Sequence, residues 1–310
     1  MFVRHMEGIK VFLEFVMRSP QSAAMVVVVT AVAAMVLPPV TSPISFLSGA
    51  ALGLVTLRLG PRHGVVIMGA ATSGLAVLSM SLLGTASLAI TMFVVLWAPV
   101  WLLGTILRST VSMPLAVTVA LCLIVTGVAV THWWVGDLAS WWRVFLMEAF
   151  TRIGPEPGPE LVRIIEDISR VMTGLVAAGL LMSLVGNLLL ARWWQALLYN
   201  PGGFKQEFLV LRLHPTLGLA ALGVMALTQI GPASLEPFGV DLVFVMMAAF
   251  FMTGLAVVHG LNANFGDHIG WLLGVYLLIL LFPRQMMTLL AATGLADTWV
   301  DLRRRIRRDA

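Results

Sequence analysis

Charged side chains are scarce: Asp, Glu, Lys and Arg together make up 11% of the 310 residues, where a soluble domain carries about 25%. So little polar material cannot cover a water-facing surface. That argues against a soluble domain and leaves the bilayer as solvent for the apolar surface. Cysteine is nearly absent: Cys122 is alone and lies inside an apolar run, which excludes an intrachain disulfide and a cysteine metal site. Catalytic signatures are missing too. There is no His-Glu-x-x-His, no phosphate-binding loop, no dinucleotide fingerprint and no Gly-x-Ser-x-Gly, so the sequence supports neither an enzyme nor a cofactor. The net charge of +4 comes largely from short Arg clusters beside apolar runs. That is a topological pattern, not the basic face in polar surroundings that a nucleic acid needs.

Apolar sequence fills the rest: 59% of residues are hydrophobic and the mean hydropathy is +0.97. A membrane span needs about 20 predominantly apolar residues. The candidates lie at 20–37, 43–59, 64–83, 85–107, 113–133, 170–191, 215–231, 238–260 and 268–300. The expected fold is an all-α polytopic transmembrane bundle of about eight to ten membrane helices. Pro38, Pro39 and Pro43 separate the first two spans, and Gly60-Pro61 and Gly84 mark tight turns. Gly49-x-x-x-Gly53 and Gly270-x-x-x-Gly274 are candidates for close helix approach. Ahead of the spans, Phe2, Met6, Ile9, Leu13 and Val16 recur at helical spacing, while Glu7, Lys10 and Glu14 interrupt any secretory-signal pattern. Residues 1–19 therefore read as an amphipathic interfacial helix.

Orientation follows from Arg and Lys. Arg4, Lys10 and Arg18 precede the first span, Arg58 and Arg62 follow the second, Arg108 the fourth, and Arg192, Lys205 and Arg212 the sixth. All point to a cytoplasmic N-terminus. The segment 133–169 then faces outward. It opens with Trp133, Trp134, Trp141 and Trp142 as an aromatic belt and ends in a mixed-charge helix around Glu160–Arg170. Nine crossings would put the C-terminus outside, yet Arg303, Arg304, Arg305, Arg307 and Arg308 in the tail 301–310 are a cytoplasmic signal. Either Pro283-Arg284 splits 268–300 into a hairpin of half-helices, or 43–59 fails to cross. With a cytoplasmic C-terminus, the tail faces anionic headgroups or a protein partner, at about 1 kcal/mol of attraction per charge.

The apolar pattern breaks most clearly over 193–214. Arg192 leads into Trp193, Trp194 and Tyr199, whose amphipathic rings suit the headgroup level, and Asn200-Pro201-Gly202-Gly203 is a turn. Beyond it, Phe204, Phe208, Leu211 and Leu213 are expected to face lipid, with Lys205, Gln206, Glu207 and Arg212 facing water. His214-Pro215 starts the next span. The segment reads as a cytoplasmic interfacial elbow that docks a partner or, alternatively, as a plain connector.

Asn187 with Arg192-Trp193-Trp194, the run Leu211–Pro215 and the run Leu295–Arg303 together resemble the DUF2232 family of YybS-like membrane proteins. The resemblance covers nearly the whole chain in span order. That family is remotely similar to the substrate-binding S components of energy-coupling-factor transporters. The resemblance implies an S-component-like six-helix core over 20–192, with membrane helices added over 215–300. It also implies a small-molecule ligand and a transporter coupling subunit as partners. The Ala-x-x-x-Ala by which S components meet that subunit is absent from the first span, where Ala23, Ala24, Ala31, Ala33 and Ala34 fall at other spacings.

Polar groups in a span are functional candidates by default. Asn187 is placed to hydrogen-bond across helices. Asp241 and His132 sit near span ends and read as interfacial. The densest group, His259, Asn262, Asn264, Asp267 and His268, falls between the last two apolar stretches, where a solvated loop explains it; its spacing matches no metal motif. Two readings follow: a non-enzymatic, transport-related protein that binds a small molecule, or a structural protein that docks cytoplasmic partners or anionic lipids.

Overall fold

A computed structural model describes the backbone over residues 2–36, 38–154 and 157–304, and side chains over 7–34, 46–154 and 157–304. Within these limits every regular element is helical, and no strand occurs. In chain order the helices are α1 (Phe2–Arg18), α2 (Pro20–Val36), α3 (Pro38–Leu59), α4 (Pro61–Leu83), α5 (Ser87–Met92), α6 (Ala98–Thr110), α7 (Met113–Val135) and α8 (Leu138–Ile153). They continue with α9 (Pro159–Ser169), α10 (Met172–Tyr199), α11 (Gly203–Leu209), α12 (Pro215–Ile230), α13 (Glu236–Asn264), α14 (Ile269–Leu281) and α15 (Pro283–Val300). Proline stands at the first turn of many of them, where its missing N–H costs no intrahelical bond. A π-helical turn, Phe93–Trp97, joins α5 to α6 into one apolar helix. It lies just ahead of Pro99, whose ring cannot accommodate a regular preceding turn.

Among the described residues, five helices are long and apolar enough to cross a membrane: Pro61–Leu83, Ser87–Thr110, Met113–Val135, Met172–Tyr199 and Ala233–Asn264. A sixth is counted if α1 and α2, bent by 117° at their junction, form one span. The stretches 43–59 and 215–231 appear as shorter apolar helices, and 268–300 is broken at Phe282 into α14 and α15. The break falls where Pro283 removes an N–H and restricts the residue before it. Segment 138–153, read from the sequence only as an aromatic belt, is the helix α8, capped by Asp137.

Two compact units divide the chain: Met1–Ala120 with Ser183–Phe208, and Leu121–Met182 with Leu209–Ala310. In the first, Trp97 is fully buried and donates from Nε1 to Ser48 Oγ at 3.0 Å, and Ser48 passes its own proton to Val27 O at 2.9 Å. Gly49 and Gly53 admit α10: a Cβ at Gly49 would stand 2.3 Å from Asn187 Oδ1, and one at Gly53 2.8 Å from the Ala191 Cβ. In the second, α13 packs against α15 through another glycine pair. A Cβ at Gly254 would stand 1.9 Å from Leu290 O, and one at Gly294 2.1 Å from Phe250 O. The expected contact at Gly270 and Gly274 does not form among the described residues; none lies within 4 Å of a Cβ at either.

Candidate functional site

The second unit contains a buried acid that the sequence reading placed at an interface. Asp241, in the second turn of α13, is only 2% exposed. Both its oxygens are held: Gly174 N–H donates to Oδ1 at 2.7 Å, and His132 Nε2 stands 2.7 Å from Oδ2. One proton is shared across this contact: Asp241 when ionised only accepts, and His132 then donates from Nε2. The histidine belongs to the last turn of α7, and Phe238 meets its ring edge-on at 5.3 Å. Gly174 is obligatory for this geometry, since a Cβ there would lie 2.8 Å from Asp241 Cα. Without these donors, burying a carboxylate would cost several kcal/mol, roughly the penalty of an unpaired buried ion.

Beside the pair lies a cavity of about 320 Å³, whose lining includes His132, Asp137, Ser169, Arg170, Thr173 and Asp241. That is within the size range of small-ligand sites, roughly 300–1,000 Å³. Trp142 Nε1 donates to Thr173 Oγ1 at 2.9 Å, which leaves the Thr173 proton free to turn elsewhere. Ser169 spends its own proton on Glu166 O at 2.8 Å, so it is not poised as a nucleophile. Asp137 accepts from Ser140 N–H at 3.0 Å and Ser140 O–H at 2.6 Å. Those bonds hold its carboxyl below the usual carboxylate range. The lining thus offers donors of several kinds around a carboxylate already satisfied, a binding chemistry for a small polar molecule.

The elbow is tied down by its own side chains. In the first unit, Arg192 makes a two-pronged pair with Glu207, Nε to Oε2 at 2.9 Å and Nη2 to Oε1 at 2.5 Å. Trp194 is buried against the edge of Phe12. Trp193 is half-buried. The Arg58 guanidinium lies 4.1 Å from the centre of the Tyr199 ring. Asn200, Pro201, Gly202 and Gly203 form the turn, closed by Gly203 N–H to Asn200 O at 3.0 Å. In the second unit, His214 caps α12 by accepting from Thr216 N–H, and Pro215 begins that helix. Leu211 and Leu213 are buried in protein, a correction to the lipid-facing expectation; their segment is roofed by Arg303.

Arg303 does not belong with an exposed tail. It donates to Asp297 Oδ2 at 2.5 Å, to Leu209 O at 2.5 Å and to Leu211 O at 3.1 Å, while Leu302 N–H reaches Asp297 Oδ1 at 2.9 Å. Alongside it, Arg212 pairs with Asp301 at 3.3 Å. Arg304 is exposed; Arg305, Arg307 and Arg308 lie outside the described residues. The runs 211–215 and 295–303, which carried the resemblance, thus meet in one clasp.

Asn187 lies in the first unit and donates to Ser183 O at 2.8 Å within its own helix. The group of five, His259, Asn262, Asn264, Asp267 and His268, lies in the second. His259 meets the Tyr276 hydroxyl at 2.9 Å, Asn262 reaches Asp267 at 3.4 Å, Asn264 reaches Arg303 O at 3.3 Å, and the exposed His268 immediately precedes α14. What the sequence reading missed is the His132–Asp241 pair. Its only sequence signal was two ionisable groups at the ends of apolar runs, separated by 109 positions.

No family model matches the chain, and no curated protein or solved structure matches it either. Its class therefore rests on the helices themselves: an all-helical chain whose long apolar helices are compatible with an integral membrane protein.

Proposed function

We propose that this is a non-enzymatic, multi-pass membrane protein that binds a small polar molecule in the cavity beside His132 and Asp241. The observation that carries this reading is the buried carboxylate, held by an imidazole and a backbone amide at the wall of a ligand-sized space. Ionisable groups inside membrane proteins concentrate at ligand and ion paths. The resemblance to DUF2232 proteins, and through them to energy-coupling-factor S components, adds transport-related uptake with a coupling subunit in a bacterial inner membrane, both termini cytoplasmic. The test is purification of the full chain in mild detergent, with metabolite screening by thermal shift. A ligand that raises Tm for the native chain and not for Asp241→Asn supports the reading; a response unchanged in Asp241→Asn overturns this site.

The alternative is a scaffold that recruits cytoplasmic partners through the elbow and the Arg tail, favoured by the exposure of Arg304. Replacing Arg304, Arg305, Arg307 and Arg308 by Gln then abolishes partner copurification and leaves any ligand response intact.

A further inference from the structure

The first unit holds a second cavity, unrelated to the site above. Its volume is about 340 Å³, and it opens where α1 turns into α2, beside the α3–α4 turn. The bend is built by reciprocal capping: Ser19 N–H donates to Ser22 Oγ at 3.0 Å, and Ser22 N–H to Ser19 Oγ at 3.1 Å. Across from it, Gly60 adopts φ 101°, a left-handed conformation that glycine permits, and sends the chain into α4.

The lining has two characters. Val16, Ala23 and Ile67 are buried apolar residues, whereas Arg18, Arg62 and His63 are exposed and basic or titratable. Two other arginines of the unit show what structural use looks like. Arg108 donates to Leu57 O at 2.5 Å and to Arg58 O at 2.8 Å, closing the end of α3, and Arg58 covers the Tyr199 ring. Arg18 and Arg62 have no ion pair among the described residues. Two uncompensated guanidiniums beside an apolar floor match an amphiphile that is anionic at one end. A free anion would use only the arginines and leave the apolar floor uncovered.

We propose that this cavity holds an anionic phospholipid, with Arg18 and Arg62 on the headgroup phosphodiester and the apolar floor against an acyl chain. Arginine suits that role because its planar fork matches phosphate oxygens. Full-length protein in detergent is titrated with phosphatidylglycerol or phosphatidylcholine, and retained lipid is read by native mass spectrometry. Retention of phosphatidylglycerol over phosphatidylcholine is expected. The Arg18→Gln/Arg62→Gln variant is expected to weaken it by roughly thirtyfold, the product of two headgroup charges. Arg304→Gln is expected to leave it unchanged. Equal retention of both lipids, or full retention by the double variant, overturns the proposal. So does a site that takes inorganic phosphate but retains no lipid. If the double variant does not fold, the comparison between the two lipids on the native chain still decides.

Discussion

Asp241 and Asp297 are both buried, and each is held in the same manner, by one cationic or protonated side chain and one backbone N–H. Their surroundings differ. Asp297 is matched by Arg303, whose remaining donors go to Leu209 O and Leu211 O, so the carboxylate, the guanidinium and two loop carbonyls satisfy one another. Asp241 is matched by a histidine, a partner with fewer donors and an optional charge, and it borders a cavity. The first arrangement is closed and fastens the chain. The second stands at the wall of a space that Asp137, Ser169 and Thr173 also line. Burial and pairing alone do not set the two apart; the identity of the partner and the adjoining volume do.

The contrast can be tested by substitution. Asp297→Asn strands Arg303 as a buried charge and is expected to cost about 3–5 kcal/mol, read by chemical unfolding of the detergent-solubilised chain; ligand-induced shifts in Tm are expected to persist wherever the variant folds. Gly174→Ala should cost about 2–3 kcal/mol, because its Cβ must displace the α13 backbone. It should also abolish the ligand response, which Asp297→Asn does not. Asp241→Asn is expected to be milder, about 1–2 kcal/mol, since an amide oxygen can still accept from Gly174 N–H; a loss as large as that of Asp297→Asn would erase the distinction.

The smallest effect concerns Asp137 at the rim. Its folded carboxyl is held below the ordinary range by Ser140. On acidification the unfolded chain therefore takes up the proton first. The stability due to this cap is complete above the unfolded pKa and is lost as pH falls through the lower folded one. An acid titration followed by circular dichroism should lose that component of its slope in Asp137→Asn.

Much of the architecture was readable from residue patterns. Long apolar runs became the helices α4, α7, α10 and α13, and Pro283 divided the last stretch. Close approach was only half readable. Gly49-x-x-x-Gly53 packs as its spacing implied, but Gly270-x-x-x-Gly274 faces open space, and the tightest helix pair uses Gly254 and Gly294, which belong to no such motif. A small-residue motif states what a helix face permits; whether a partner arrives depends on the fold. The site was illegible for a related reason. His132 and Asp241 are each unremarkable beside tryptophans or a helix start, and Gly174 is one of 28 glycines. Only tertiary packing gives the three a common purpose.

The Arg303 clasp has a consequence in time. Leu209 and the arginine that binds its carbonyl are 94 positions apart. At a synthesis rate of about 5–20 residues per second, roughly 5–20 s separate their emergence. During that interval the carbonyls of Leu209 and Leu211 lack their guanidinium, and the segment after the elbow depends on other donors. The clasp is thus a late fastening in biosynthesis, and a ribosome that stalls ahead of codon 303 leaves it open.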